Sequence, residues 1–474
     1  MRLWAKRTAV LVGCLTVALL AGCAAAPPNT RIDRVDVTRG YRFTSRLVRP
    51  NNDSQTLLLL AFSGGGTRAA ALSYGVLEAL RQTEVDGPRG RRSMLDEVDA
   101  ISSVSGGSFT ALAYALYGER VFEEYPKRFL YRDVEGALVV RALLNPVNWV
   151  RFATSDLGRS DVAAAYYDEI LFEGATFNDL IGKPTPTVIA QTTDISNGAR
   201  FSFVQSEFDV ICSDLSTVKL SHAAAASSAV PLVLSPVTLD NHGGACGFRL
   251  PGWMEAEAKP TARPWPGSWV QHRVKELDAF ANGKNRPFLH LVDGGLVGNL
   301  GLSIILELLR ELEDNPQFEE AVGLRHLRRV AVIVVDAEAS IDKGWDASRR
   351  VPGEVALVLQ TIRVPMSRYS YASLNDVEDV LSNWSARLQT QESGRHPAGG
   401  VPVAADTMQP IDFTVVYVSF DAIADPAERT YLRSLPTTLA LPEEAVDRLR
   451  AAGGRLLRES PQFQTLIREM RRAR

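Results

Sequence analysis

The residues best suited to nucleophilic chemistry lie in Ser103-Val104-Ser105-Gly106-Gly107. Small residues two before and two after a serine let a strand turn sharply into a helix, which presents the hydroxyl at the carboxyl end of a sheet. The helix N-terminus beneath it favours the negative charge that develops during acyl transfer. The usual pattern is G-x-S-x-G, and Ser103 stands here in place of the first glycine. A second segment, Ser63-Gly64-Gly65-Gly66-Thr67-Arg68, leaves successive backbone N–H groups uncovered, able to point at an anion. It reads as an oxyanion hole, as a tight turn, or as a dinucleotide fingerprint, since Gly64-x-Gly66-x-x-Ala69 fits that pattern with Glu84 or Asp86 as the ribose acid. The third segment, Asp293-Gly294-Gly295, follows the apolar run Phe288–Val292. It is either a carboxylate at the end of a parallel strand or a turn-forming Asp-Gly.

Other chemistry finds less support. None of the six histidines has the i, i+4 spacing of a zinc site, so no metal and no cofactor are expected. A Ser–His–Asp triad would need His326 or His396, the two late in the chain, and both sit in charged or loop-like surroundings that suit solvated residues. A net charge of −3, from 52 basic and 55 acidic residues, leaves no footprint for a nucleic-acid partner. Apolar residues at 46% and charged residues at 23% exclude disorder and a polytopic membrane protein.

The elements that must hold these motifs are legible as alternating strands and helices. Leu57–Phe62 is a continuous apolar run that suits a strand buried on both faces, and a helical pattern follows the glycines to about Arg81. Val98–Ser102 precedes the serine motif, and Phe109, Leu112, Ala113 and Leu116 then recur at helical spacing. Further strands are expected at Thr187–Thr192, Phe201–Val204, Phe288–Val292, Val330–Asp336 and Phe413–Phe420. The expected class is α/β, a parallel-rich central sheet flanked by helices in an α/β/α sandwich. Residues 131–180 read as a helical cap, 251–287 as a loop-like insertion, and the chain beyond Leu441 as charged helix.

The N-terminus reads as an address. Arg2, Lys6 and Arg7 precede an apolar run from Thr8 to Gly22, too short to span a membrane but suited to a secretory signal. Leu20-Ala21-Gly22-Cys23 resembles the bacterial lipobox, which would make Cys23 the lipidated first residue of the mature chain. Ala24 in place of an acidic residue resembles the pattern of lipoproteins sorted to the outer membrane, so a lipid-anchored protein of the bacterial envelope, facing the periplasm, is expected. In that oxidising compartment Cys212 and Cys246 are candidates for a disulfide. The expected organisation is a signal peptide (1–22), a tether (23–55), a catalytic domain (56–304) and a C-terminal extension that partly completes the same sheet (305–474).

Taken together and in this order, the glycine loop, the serine turn and Asp293-Gly294-Gly295 resemble the patatin-like phospholipase family. Thr193-Asp194-Ile195-Ser196-Asn197-Gly198 looks like that family's T-D-x-x-x-G segment, and Ala226-Ser227-Ser228-Ala229-Val230-Pro231 like its A-S-x-A-x-P turn. The resemblance implies a serine acyl-ester hydrolase acting on membrane lipids through a Ser–Asp dyad. Ser105 would be the nucleophile, Asp293 the base, and Gly64, Gly65 and Gly66 the source of the oxyanion hole. Arg68 matches the basic residue of the family's G-G-G-x-R/K loop and would steady the loop or meet a lipid phosphate. Trp149, Val150 and Phe152 would form an apolar lip or fill the core beneath the cap, and Trp253, Trp265 and Trp269 an interfacial belt or loop residues folded onto the body. The alternatives are a non-catalytic envelope lipoprotein that keeps the fold for lipid binding, or a nucleotide-binding protein using Gly64–Ala69.

Overall fold

The structure, a computed structural model, describes residues 29–472 apart from 45–48, 50–51, 88–89, 145–147, 149–156, 258–268, 315–317, 319, 321, 325–326, 341–343 and 395–410. Twelve strands are described: β1 (Thr30–Arg31), β2 (Thr56–Phe62), β3 (Glu84–Gly87), β4 (Gly90–Ser93), β5 (Val98–Val104), β6 (Thr187–Asp194), β7 (Ala199–Ser202), β8 (Ser213–Asp214), β9 (Val237–Asp240), β10 (Phe288–Asp293), β11 (Arg329–Asp336) and β12 (Asp412–Ser419). The helices that matter to the site are α1 (Thr67–Gln82), α2 (Gly106–Tyr117), α3 (Arg159–Tyr167), α4 (Leu220–Ser227), α5 (Leu302–Asp314), α6 (Glu354–Gly394), α7 (Glu443–Glu459) and α8 (Pro461–Arg472).

One eight-stranded sheet in the order β12-β11-β2-β5-β6-β10-β9, with β7 paired to β6, organises the molecule. From β12 to β6 all neighbours are parallel, whereas β10 runs antiparallel to β6 and to β9. Alternation along the strands divides the core into two layers. Leu58, Leu60 and Phe62 of β2, with Ala331, Ile333 and Val335 of β11, join the core packed by α1, α2, α7 and α8. Leu57, Leu59, Ala61, Val330, Val332 and Val334 face the opposite core, with Leu306 and Leu309 of α5 and Val377, Leu381 and Trp384 of α6. This is the α/β/α sandwich expected, and β11 and β12 place the late chain in the same sheet.

Three expectations are corrected. Asp293 ends a strand that is antiparallel to its neighbours. A short apolar run specifies burial but no direction. Described residues of the 23–55 segment do not behave as a free tether: β1 pairs with β8, Tyr41 is buried against Phe177, and Arg42 forms a buried 2.7 Å ion pair with Asp209. The charges there are interior because they are paired. Residues 251–287 contain helices Gly252–Glu257 and Trp269–Ala281, and the second buries Val270, Arg273, Val274, Leu277 and Phe280 along one stripe.

Candidate active site

Ser105 follows directly on β5 and precedes α2, with φ 49° and ψ −119°, a left-handed conformation that is rare for a residue with a side chain. The turn is held from below. The Ser105 N–H donates to the Ser227 hydroxyl at 2.9 Å, and that hydroxyl donates to the Gln191 carbonyl at 2.8 Å. Ser227 comes from α4, in the A-S-x-A-x-P segment, so that segment's task is to tie the serine turn to β6. Gly106 has no room for a side chain: a Cβ there would stand 2.0 Å from the Gly66 carbonyl oxygen. The glycine loop therefore lies directly against the serine turn.

Asp293 reaches the same place by register. Val104 pairs with Gln191 across β5 and β6, and Asp293 pairs with Thr192, the next residue of β6. β10 thus enters from the overhanging end of β6 and stops level with the end of β5. The Asp293 backbone is fixed by donation of its N–H to Ala229 O at 3.0 Å and acceptance from the Thr193 hydroxyl at 3.0 Å. Its carboxylate accepts the Gly295 N–H at 2.8 Å. Burial pushes the carboxyl up to about 6, opposed first by the Gly295 N–H and then by hydrogen bonding from the Ser105 hydroxyl. A base in that range stays mostly ionised at neutral pH while being far more basic than an ordinary aspartate.

The three glycines are not equivalent. Gly64 donates its N–H to the Asn299 carbonyl at 3.0 Å, which occupies it. Among the described residues, the N–H groups of Gly65 and Gly66 have no acceptor. Their φ values of 142° and 61° belong to the region open to glycine, and that backbone is what turns successive amides toward one point. Of the three glycine amides expected to supply donors, those of Gly65 and Gly66 are open, and a backbone carbonyl occupies that of Gly64.

Arg68 is almost wholly buried, and all three of its nitrogens are engaged. Nε donates to Ala337 O at 2.7 Å, one terminal nitrogen to Leu435 O at 2.5 Å, and the other to the Thr437 hydroxyl at 3.1 Å. It fastens the glycine loop to the C-terminal part of the chain. All these groups line one cavity of about 340 Å³, whose polar floor is Ser105, Asp293, Gly65 and Gly66. Its apolar lining comes from Leu138, Val139, Val230, Val233 and Leu234 and from Leu359, Ile362 and Met366 of α6. Sequence reasoning missed Asn299 as an acceptor and α6 as a wall.

The remaining candidates lie elsewhere. Glu84 and Asp86 belong to the β3–β4 hairpin, past the far end of the 16-residue α1, roughly 24 Å from the glycine loop at 1.5 Å per residue. Glu84 is exposed and ion-paired with Arg91 at 2.9 Å, so the dinucleotide arrangement is not formed. Cys212 and Cys246 are joined in a disulfide. Trp269 packs on the main core with the Arg310 guanidinium 4.7 Å from its ring. Cys23, Trp149, Val150, Phe152, Trp265, His326 and His396 lie outside the described residues, as does the side chain of Trp253. Among the described residues, no three His, Cys, Asp or Glu side chains are grouped to hold a metal, and no helix is long and apolar enough to cross a membrane.

The sequence matches the family model for patatin-like phospholipase over residues 60–306, slightly more than half of the chain. The chain belongs to the patatin-like phospholipase family. No functionally curated protein matches the sequence. Among solved structures, it is similar to human GIVD cytosolic phospholipase A2, at 12% identity and a TM-score of 0.41, covering 95% of this chain and 68% of that one. The same human enzyme in complex with methyl gamma-linolenyl fluorophosphonate gives 12% identity and a TM-score of 0.39, with 95% and 66% covered. VipD from Legionella pneumophila gives 9% identity and a TM-score of 0.22, with 85% and 67% covered. These likenesses are distant, and membership of this family of lipid acyl hydrolases rests on the sequence match.

Proposed function

We propose that this patatin-like protein hydrolyses carboxylic esters of lipids through a Ser105–Asp293 dyad. The reading is carried by one observation: a strained serine turn, a buried carboxyl and two unengaged amides line one largely apolar cavity. Ser105 Oγ attacks the ester carbonyl carbon as its proton passes to the Asp293 carboxylate. The N–H groups of Gly65 and Gly66 hold the resulting oxyanion. Collapse of the tetrahedral intermediate breaks the bond to the alcohol, which takes the proton back from Asp293, leaving an acyl-Ser105 ester. Water then attacks that ester with Asp293 again accepting a proton, and Ser105 is regenerated as the fatty acid leaves. The raised Asp293 pKa makes up for the weaker basicity of a carboxylate compared with imidazole. The apolar walls suit an acyl chain.

The same proposal places the chain at the bacterial envelope, anchored through lipid on Cys23 and facing the periplasm from the outer membrane. It is supported by Leu20-Ala21-Gly22-Cys23 and by a disulfide suited to an oxidising compartment. The test of the chemistry is labelling with a fluorophosphonate probe, alongside hydrolysis of a panel of phospholipids and short-chain esters. Wild type should be labelled and Ser105→Ala should not. If wild type and Asp293→Asn hydrolyse the whole panel equally poorly, the chain is a non-catalytic lipid-binding lipoprotein and the dyad is refuted.

A further inference from the structure

Two arginines meet in this cavity with opposite circumstances. Arg68, the residue carried by the glycine motif, has every nitrogen committed to protein oxygens, and Asp336 and Glu338 lie near enough to influence its charge. It is a fixed strut. Arg363 of α6 lines the same cavity, lies near enough to Arg68 to depress its pKa, and makes no hydrogen bond or ion pair among the described residues. Burial lowers the pKa of Arg363 itself, and no carboxylate offsets that loss. A half-buried guanidinium beside a second cation, with five donors and no acceptor, is costly unless something outside the chain supplies an anion.

Its position suits a substrate group. Met366, three residues further along α6, presses its Cε to within 2.5 Å of where a Cβ on Gly295 would stand, so α6 lies against the turn that holds Asp293. Leu359 and Met366, at i−4 and i+3, share the helix face of Arg363 and form cavity wall with it. Arg363 thus stands about 4.5 Å along the helix axis from the residue that covers the catalytic turn. We propose that Arg363 binds the phosphate of the substrate, so that the acyl esters hydrolysed here are phosphate-bearing lipids rather than neutral glycerides. This rests on the acyl-hydrolase reading above and names its substrate class. Guanidinium pairs bidentately with phosphate, a geometry that a lysine at this point would reproduce only in part. Arg159, the other cavity arginine without a described partner, provides the control, because it comes from α3 rather than α6.

The test is calorimetric titration of the Ser105→Ala protein with octyl phosphate, 1-O-octylglycerol and inorganic phosphate. Adding Arg363→Gln should weaken octyl phosphate by about tenfold or more, the scale of charge-assisted hydrogen bonds, and change octylglycerol by no more than about twofold. Arg363→Lys should fall between, and Arg159→Gln should change octyl phosphate by no more than about twofold. Equal weakening of both amphiphiles by Arg363→Gln, or a larger effect from Arg159→Gln, overturns the assignment. Inorganic phosphate binding as tightly as octyl phosphate would make this a free-anion site and overturn the headgroup reading. In the otherwise unmodified enzyme, Arg363→Gln should lower the preference for lysophosphatidate over monoacylglycerol by about tenfold. If wild type cleaves neither lipid, the hydrolase reading falls, while the titrations still decide whether Arg363 binds phosphate.

Discussion

β5 has an aspartate near its amino end and the serine turn at its carboxyl end, and the polar groups at the two ends are treated differently. At the amino end, Asp99 is fully buried in a bulge where β5 slips against β2. Its carboxylate accepts the Leu58 N–H at 2.8 Å and Asn52 Nδ2 at 2.9 Å, and Arg49 stands 3.5 Å away. Arg49 donates in turn to the Val98 carbonyl. At the carboxyl end, Asp293 has one close N–H donor, Gly65 and Gly66 have amides without acceptors, and Ser105 occupies a strained conformation. The same strand is saturated where it needs only to stand and short of partners where a reacting ester would supply them. Open backbone amides beside a strained serine and a buried carboxyl set this end apart from the other.

The largest expected effect tests the unsaturated end. Asp293→Asn keeps the shape but removes the proposed base, and the rate of lysophospholipid hydrolysis should fall by about 10⁴-fold. Its melting temperature at pH 8 should stay the same or rise, because a poorly solvated charge is removed. Asp99→Asn should do the reverse. It removes the carboxylate charge that faces the buried Arg49 guanidinium at 3.5 Å and should cost about 3–5 kcal/mol in urea unfolding. The folded fraction should keep kcat/KM within about threefold. A catalytic defect in Asp99→Asn with intact stability would erase the contrast between the two ends.

Gly106→Ala sharpens it further. The new Cβ meets the Gly66 carbonyl oxygen at 2.0 Å, a backbone group that can move only by shifting the glycine loop. The effect should appear in kcat, at about 10²–10³-fold, the value of a lost oxyanion donor, with a smaller change in KM. Steady-state kinetics on a soluble ester separates the two. An effect confined to KM would mean that the loop binds ground state and transition state alike.

Legibility in the sequence follows the same division. The saturated framework could be read because burial leaves apolar runs: β2, β5, β6, β10, β11 and β12 all fall within a few residues of such runs. The three motifs could be read because strained turns and close approach demand glycine and serine. The direction of β10 could not, since six residues of apolar strand look the same from either end. The loss of Gly64 to Asn299 could not either, because a main-chain carbonyl leaves no side-chain signature. The helix α6 buries Val377, Val380, Leu381 and Trp384 at i, i+3, i+4 and i+7, but its first half, interrupted by Pro365 and with exposed apolar side chains such as Leu357 and Val358, shows no such stripe, so neither that half nor Arg363 was expected at the cavity. The helix Trp269–Ala281 was detectable, as Val270, Val274 and Leu277 stand at i, i+4 and i+7.

The smallest effect concerns pH, and its sign differs between activity and stability. In the proposed mechanism Asp293 must be ionised to accept the Ser105 proton, so kcat/KM should climb about tenfold per pH unit up to about 6 and then level. Stability runs the other way. The folded-state pKa lies above the ordinary aspartate value, so the folded protein holds this proton more tightly than the unfolded chain does. The favourable contribution is complete below the ordinary aspartate range and is lost as pH rises to about 6, an amount on the order of 3 kcal/mol at about 1.4 kcal/mol per pKa unit. Asp293→Asn should abolish that part of the unfolding free energy's pH dependence, whereas the activity limb is measured in wild type. An activity limb near the ordinary aspartate value, with no matching change in stability, would show Asp293 to be as well solvated as a surface carboxylate, and the carboxyl end of β5 would lose the property that separates it from the amino end.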